Sequence, residues 1–261
     1  MSKQIREKPD QGIFLLPGGY ISPDGTCYQL VKLRQLTGRE EETILDADAT
    51  NDNVTTLLTR ILASCLDSIG PIKEINPDIV RELLIADRDY LLLKLRQMTF
   101  GNRIDAQVQC PNGACRKPMH IDFDLKKIEV QRKDIKNGIY SIHLSSLASY
   151  KDSNNVRHNE IEFRLPNVAD QEEIAEQLYR EKRNESKALT KLLERCLIRI
   201  GNITQIDEDL IYSLPILARR EIEIKMQEFS PKVDLRIHIK CPECGNDFTS
   251  PFDLQNFFLA K

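Results

Sequence analysis

The sequence predicts an α+β fold made from two tandem copies of one unit, in which amphipathic helices are followed by a β-strand and a cysteine knuckle. Three observations predict this fold. Apolar residues recur at helical spacing in several segments, and shorter segments alternate between apolar and polar residues as strands do. Two short cysteine pairs each lie between alternating segments, as the tips of two hairpins would. One stretch of sequence also recurs 131 residues later in the chain.

The internal repeat is clearest where residues 58–70 (LTRILASCLDSIG) reappear as residues 189–201 (LTKLLERCLIRIG). The same shift continues without a gap and matches Ile72, Ile75, Asp78, Arg88, Lys94 and Cys110 with Ile203, Ile206, Asp209, Arg219, Lys225 and Cys241. Upstream the match is looser and pairs Leu33 with Leu165 and Glu40-Glu41 with Glu172-Glu173. This pattern indicates a tandem duplication. It predicts a flexible N-terminal arm at 1–11, a first repeat at 12–130 and a second repeat at 131–261.

The two cysteine pairs predict a structural metal site. They read Cys110-Pro111-Asn112-Gly113-Ala114-Cys115 and Cys241-Pro242-Glu243-Cys244-Gly245, so both have a proline after the first thiol and a glycine nearby. Such turns, called knuckles, aim two thiolates at one point, and a structural Zn²⁺ takes four ligands in a tetrahedron. We therefore predict one zinc-ribbon-like Zn²⁺ site formed by Cys110, Cys115, Cys241 and Cys244. The metal would join the two repeats across a very long loop.

Other interpretations of the cysteines are open. The four could be ordinary thiols, or Cys241 and Cys244 could be a redox pair, although redox Cys-x-x-Cys motifs begin helices and this pair lies between strands. His120 lies near the first knuckle but is not needed as a further ligand. Cys65 and Cys196 occupy equivalent positions on apolar helix faces, where a free cysteine packs as a small hydrophobe.

Local signals place the elements of the first repeat. Helix starts are indicated by Thr37 with Glu40 as a capping box, by Asn76 before Pro77, and by Asp87. Glycines are typical of helix ends and turns, and they predict a turn at 17–19 and helix ends at residues 70 and 101. The predicted elements are strand 29–33, helices starting at Thr37 and Asn76, helices 54–69 and 88–98, and strands 104–109 and 119–125.

The second repeat follows the same order with more charged residues. Its predicted elements are strands 140–147 and 161–165, a charged helix starting at Asp170, helices 186–200 and 216–228, and strand 233–240. The polar residues 149–159 predict a loop. The tail at 250–261 ends in an apolar cluster of Phe257, Phe258 and Leu259. This cluster either completes the core or docks on a neighbouring subunit.

The composition disfavours several functional classes. Charged residues make up 30% of the chain and the formal net charge is −3, whereas a dedicated nucleic-acid binder shows a concentrated basic face. No apolar run reaches the length of a membrane span, and the first residues lack the apolar core of a signal peptide. Free cysteines suit a reducing compartment, so we expect a cytoplasmic protein.

No catalytic signature is present in the sequence. Phosphate-binding glycine loops, Gly-x-Ser-x-Gly and His-Glu-x-x-His are absent, and the four histidines are scattered. Two acidic groups, at residues 40–42 and 87–89, could be read as acid–base clusters. Both are better interpreted as helix starts with local salt bridges. The sequence therefore predicts a protein that is not an enzyme and has no small-molecule substrate.

The first repeat resembles the baseplate hub protein family of contractile-tailed, T-even-like phages and of phage-derived contractile injection systems. The matching segments are LPGGY at 16–20, LRQLTGREEETIL at 33–45 and ADRDYLLLKLRQMTFG at 86–101, followed by the strand and cysteine knuckle. The second repeat resembles this family more loosely. Arg219 stands at the position of Arg88, but Ala218 stands at the position of Asp87. The resemblance covers residues 12–125 best.

The resemblance implies a structural or assembly role in the baseplate, the platform that joins the tail tube and sheath to the spike. It implies other baseplate, hub or tail-tube proteins as partners, and it supplies no catalytic residues. Two alternatives are a baseplate assembly chaperone that is absent from the mature particle and a zinc-ribbon nucleic-acid-binding regulator. The net charge and the absence of a basic, aromatic strand face disfavour the regulator.

Overall fold

The structure is a computed structural model that describes residues 7–50, 54–135, 137–180 and 185–251, without the side chains of 47–50, 177–180 and 251. Its helices are α1 (Gly38–Thr50), α2 (Val54–Cys65), α3 (Pro77–Glu82), α4 (Ile85–Phe100), α5 (Val168–Arg180), α6 (Glu185–Cys196), α7 (Glu208–Ser213) and α8 (Ile216–Phe229). Its strands are β1 (Ile13–Ile21), β2 (Cys27–Leu33), β3 (Leu66–Ile69), β4 (Arg103–Gln109), β5 (Pro118–Asp124), β6 (Val130–Gln131), β7 (Ile139–His143), β8 (Tyr150–Lys151), β9 (Arg157–His158), β10 (Glu160–Arg164), β11 (Leu197–Ile200), β12 (Lys232–Val233), β13 (Arg236–Lys240) and β14 (Asp247–Pro251). The predicted α+β class is confirmed.

Each half of the chain has its own apolar core. The first half packs the sheet β1-β2-β3 against α2 and α4, and the second half packs the sheet β7-β10-β11 against α6 and α8. Both sheets are antiparallel, and β2 and β10 are their central strands. A third, smaller core lies between the hairpins β4-β5 and β13-β14. The hairpins are therefore held together at their own apolar surface.

The helices predicted at 54–69 and 186–200 are wrong at their C-terminal ends. In both halves the helix ends at a buried cysteine, Cys65 or Cys196, and the next four residues form a strand. β3 then pairs with β2, and β11 pairs with β10. The apolar residues of these four-residue strands lie three apart, which also fits a helical stripe. The pairing with a distant strand decides between the two periods.

The register of the two sheets corrects the looser upstream match. Leu33 pairs with Leu66 after an irregularity in the ladder, and Phe163 pairs with Leu197 after the same irregularity. The position of Leu33 therefore corresponds to that of Phe163, at an offset of 130 residues, and not to that of Leu165. Local charge pairs follow the same offset. Arg34 binds both carboxylate oxygens of Glu40, and Arg164 binds both oxygens of Asp170.

Glu40 is thus part of a buried ion pair as well as a capping box. Its carboxylate accepts hydrogen bonds from the backbone N–H of Thr37 at 2.9 Å and from the hydroxyl of Ser64 at 3.0 Å. Chiefly because of Arg34, the pKa of Glu40 lies far below its usual range. The interpretation of this acidic run as a helix start is consistent with these contacts.

Asp87 anchors a bend in β1 to helix α4. The predicted turn at 17–19 is a bulge within β1, and the N–H groups of Gly18 and Gly19 donate to the two Asp87 carboxylate oxygens at 2.7 and 3.0 Å. Gly19 has a φ of +123°, and a Cβ atom there would lie 2.6 Å from the Cys27 sulfur. Only glycine fits this bend. Asp87 is fully buried, and burial raises the pKa of its carboxyl to about 6 despite the two amide hydrogen bonds.

We expect Asp87→Asn to remove a pH dependence of stability. Because the folded pKa lies above the ordinary value of 3.8, this carboxyl contributes stability that is complete below about pH 4 and is lost as the pH rises through about 6. The difference in unfolding free energy between the native chain and the variant should change by about 2 kcal/mol between pH 4 and 7. Urea unfolding at each pH measures this difference, and Asp10→Asn is the control because Asp10 is exposed. A difference that does not vary with pH would contradict the raised pKa.

Helix α5 of the second half packs on the helices of the first half. Val168 belongs to the first core, and its N–H donates to the Leu83 carbonyl at 2.9 Å. The Glu172 carboxylate accepts from Thr59 at 2.6 Å and from Arg81 at 2.9 Å. This contact orients the two halves independently of the hairpins.

The ends of the chain are only partly described. Of the predicted arm at 1–11, residues 9–11 form a short 3-10 helix, and the Glu7 carboxylate accepts from Tyr90 at 2.7 Å and Arg132 at 2.8 Å. The apolar cluster at Phe257, Phe258 and Leu259 lies outside the described residues. Among the described helices none has the length and apolarity needed to cross a membrane.

Candidate metal centre

The four predicted ligands come together at the tips of two hairpins. β4 and β5 pair in register from Arg103 with Asp124 to Gln109 with Pro118, so the turn that joins them presents Cys110 and Cys115. β13 and β14 pair from Arg236 with Pro251 to Lys240 with Asp247, so their turn presents Cys241 and Cys244. Alternating apolar residues in both hairpins face each other, which brings the two turns together. The sulfur atoms of all four cysteines lie within 4.8 Å of one another.

The spacing of the sulfurs fits a tetrahedral ion. The Sγ atoms of Cys110 and Cys244 are 3.7 Å apart, and those of Cys115 and Cys241 are 3.9 Å apart. Four sulfurs at 2.3 Å from a tetrahedral zinc are separated by about 3.8 Å. These separations are far too long for a disulfide bond. The chemistry of the donor set, four thiols without histidine or carboxylate, is that of a closed structural site.

The first knuckle turn is two residues longer than the second, but both end in the same way and with different residues. The residue after the second cysteine is left-handed in both turns: Gly245 has a φ of +70° and Arg116 a φ of +46°. In the first turn, therefore, the left-handed position is held by Arg116 and not by Gly113. The Gly245 N–H donates to the Cys241 carbonyl at 2.9 Å, and the Arg116 N–H donates to the Asn112 carbonyl at 3.0 Å.

Backbone amides prepare one sulfur for metal binding. Hydrogen bonds from the N–H groups of Cys244 and Glu243 lower the pKa of the Cys241 thiol to about 7, although burial opposes them. At Cys110, burial and then the neighbouring sulfurs raise the pKa to about 12. Thiolates crowded together repel each other, so a divalent cation is the natural partner for deprotonating all four.

A polar contact outside the cysteines also joins the knuckles. The Lys117 ammonium lies 2.6 Å from the Glu243 carboxylate, and the Asn112 amide lies 3.9 Å from the Cys244 sulfur. Lys117 and Glu243 carry opposite charges near the cysteines, but charge alone does not predict that two distant turns meet. The Asn112 amide gives no sequence signal for its contact.

The remaining candidate residues lie away from this cluster. His120 is exposed on β5 and faces Asp105 at 3.7 Å. Cys65 and Cys196 are fully buried in the two cores, as expected for packing residues, and burial raises the pKa of Cys65 to about 11 and of Cys196 to about 12. In the group at 87–89, Arg88 pairs with Asp89 at 2.6 Å and donates to Gln171, consistent with local structural contacts.

A match to a known protein family identifies the family of this chain. The family model described as T4 bacteriophage base plate protein matches residues 22–259, which includes both halves and all four clustered cysteines. The chain belongs to this baseplate protein family. Comparison with curated proteins and with solved structures returned no match. The baseplate resemblance noted in the sequence is therefore confirmed for the family, whereas a position in the hub stays a prediction.

Membership of the baseplate family also gives the chain its broad role. It is a structural protein of phage tail assembly, and its family implies contacts with other baseplate or tail components. In this baseplate protein the cysteine cluster lies at the junction of the two hairpins. No described residue group other than this one combines three or more potential metal ligands within reach of one ion.

Proposed function

We propose that this chain is a non-enzymatic structural component of the baseplate of a contractile phage tail or contractile injection particle, in which one Zn²⁺ clamps two duplicated units together. Cys110, Cys115, Cys241 and Cys244 hold the ion. The observation that carries the zinc assignment is the convergence of four sulfurs from two hairpins on one tetrahedron-sized space. The observation that carries the baseplate role is the family match across residues 22–259.

The duplication is supported by matching structure in the two halves. The order of helix, strand, short helix, long helix and hairpin is the same from α2 to β5 and from α6 to β14, apart from the two-residue β12. Asn76 caps α3 and Asp207 caps α7 in the same way, each accepting from the backbone N–H three residues later. The units of the proposal are residues 12–130 and 131–261, which each contribute one knuckle.

A closed thiolate site supports a structural rather than a catalytic role. Four protein ligands fill the coordination sphere of zinc, so substrate or water has no position on the ion. The clamp fixes the angle between the halves, and each half then presents its own surface to a different neighbour. Hub and tail-tube proteins are the proposed neighbours.

Sedimentation of a native lysate tests the structural role. We expect the chain to migrate with sheathed tail particles and to remain there at high salt, with one zinc per chain by elemental analysis of the purified protein. Recovery only in light fractions with unassembled baseplate proteins would indicate the assembly chaperone instead. Recovery in a nuclease-sensitive complex would indicate the nucleic-acid-binding regulator. A matched pair of variants, Cys244→Ser and Cys27→Ser, shows whether incorporation into particles depends on the cluster.

A further inference from the structure

Within one chain, the contact between an α5-type helix and the neighbouring half is made only once among the described residues, by α5 on the first half. Helix α5 lies on a face of the first half that is formed by α2, α3 and α4. Glu172 receives hydrogen bonds from Thr59 and Arg81, and Gln171 receives one from Arg88 at 2.6 Å. Because the two halves correspond element by element, each of them has both a helix of the α5 type and a face of the type that binds it.

The corresponding face of the second half is a groove. Among the described residues, α6, α8 and Ile174 of α5 line it, and its volume is about 600 Å³. Its apolar wall includes Leu189, Leu192 and Ile216, and Ile216 is 79% exposed. Arg219 stands at the position of Arg88, and its guanidinium donates to the hydroxyl of Thr190, which stands at the position of Thr59. Two of the three polar groups that receive α5 in the first half therefore have counterparts in the second half, whereas Tyr212 stands at the position of Arg81.

The helix that corresponds to α5 in the first half is α1. The offset of 130 residues, fixed by the Arg34–Glu40 and Arg164–Asp170 pairs, matches Glu41 and Glu42 with Gln171 and Glu172. Glu172 is buried in its contact, whereas Glu41 and Glu42 are exposed. Leu45 is also exposed, at 55%, although leucine is a strong packing residue. The face that α5 uses for binding is thus unoccupied on α1 in the described structure.

We propose that α1 of one copy docks in the α6–α8 groove of a second copy, repeating between chains the contact that α5 makes within the chain. Glu41 and Glu42 then lie against Arg219, which covers the fully buried Thr190, and Leu45 lies against the apolar wall. Such a contact joins two different surfaces, so it is head-to-tail and builds a ring or an open filament. The inference depends on the correspondence of the contacts and not on the metal or on the baseplate role.

The charges of the two surfaces support this occupant. α1 has five acidic residues and one basic residue. The groove has Arg219 and Arg220 on α8, and Arg220 already contacts Glu223 across one helical turn. Glu185 and Glu223 also line the groove and balance its two arginines, so the attraction is local to the arginine side chains and does not come from a net charge of the groove. A carboxylate at Glu41 would meet Arg219 where Gln171 meets Arg88 in the first half.

Sedimentation equilibrium on the purified full-length chain tests the contact. We expect the wild-type chain, at concentrations up to about 100 µM, to form species larger than the 30.1 kDa monomer. Leu45→Arg on α1 and Ile216→Arg in the groove should each weaken association about 30-fold or more, as loss of a central interface residue does. Leu147→Arg is the matched control because Leu147 is 86% exposed and belongs to neither surface. It should associate as the wild type does.

Mixing the two defective variants separates this contact from a symmetric one. Each variant keeps one intact surface, so an equimolar mixture of Leu45→Arg and Ile216→Arg should recover a 1:1 complex that neither forms alone. A wild-type chain that stays monomeric at about 100 µM would overturn the proposal. A complex that tolerates either substitution, or a mixture that remains monomeric, would overturn it as well. Zinc content should be the same in all variants, so failure here is distinct from failure of the metal clamp.

Discussion

Replacing Cys244 with serine is expected to lower the free energy of unfolding by about 4 to 5 kcal/mol and to remove most of the bound zinc. The stability loss follows from the length of the loop that the metal closes, because the two cysteine pairs lie 131 residues apart. Cys244 is the suitable position because its side chain is exposed, whereas Cys110 and Cys241 are buried in the core between the hairpins. Serine at 244 therefore changes the metal site with little loss of packing.

Denaturant unfolding at a fixed free-zinc concentration measures this effect, together with the metal content of the purified proteins. Cys27→Ser is the control, since Cys27 is a half-buried thiol at the start of β2 and outside the cluster. Addition of a chelator to the wild-type chain should reproduce the variant. Unchanged zinc content and unchanged stability in Cys244→Ser would exclude the clamp.

Asp170→Asn is expected to cost about 3 kcal/mol of stability, which is the lower end for breaking a buried ion pair. The Asp170 side chain is completely buried and accepts from Arg164 at 2.6 and 2.9 Å and from Arg195 at 2.7 Å. Asparagine has only one acceptor oxygen, and its NH₂ group would face a guanidinium group, so that both would be donors. The lower end applies because both arginines are about one-third exposed and keep part of their hydration. Thermal or urea unfolding measures the loss.

The exposed pair of Lys225 and Glu228 supplies the control for this prediction. Glu228→Gln should cost no more than about 1 kcal/mol, because an exposed pair contributes little. Burial alone would raise the pKa of Asp170, but the hydrogen bonds from Arg164 lower it overall. The stability contributed by this carboxylate is therefore present above its ordinary pKa and is lost as the pH falls below it. A difference in unfolding free energy between the wild type and Asp170→Asn that stays unchanged in strong acid would contradict this explanation.

The sequence was most informative where a signal is local. The capping residue Asn76, the proline before α8 and the glycine at the end of α4 act on residues next to them in the chain, and these helix ends lie where the sequence predicted them. The cysteine spacing also named four residues that the fold brings together. The boundary at Cys65 could not be read in this way, because the strand that follows it forms only against β2.

Other features depend on contacts between distant segments. The alignment of the two halves before residue 58 could not be fixed from the sequence. The counterparts are different residue types, since Glu40 corresponds to Asp170 and Leu33 to Phe163. The left-handed Arg116 was missed because an arginine gives no signal for that conformation. The seating of α5 on the first half depends on Thr59, Arg81 and Glu172, which are polar residues that look like an ordinary solvated surface until the halves meet.

The position of the cysteines in two hairpins has a mechanical consequence for a chain under load. Consider tension between the start of the chain and its end. With the ion bound, the load runs along the first hairpin to Cys110 and Cys115, crosses the sulfur–metal bonds, and leaves through Cys241 and Cys244. Residues 116–240 lie outside that path. The second half would then keep its shape under a pull that the first half and the metal bear.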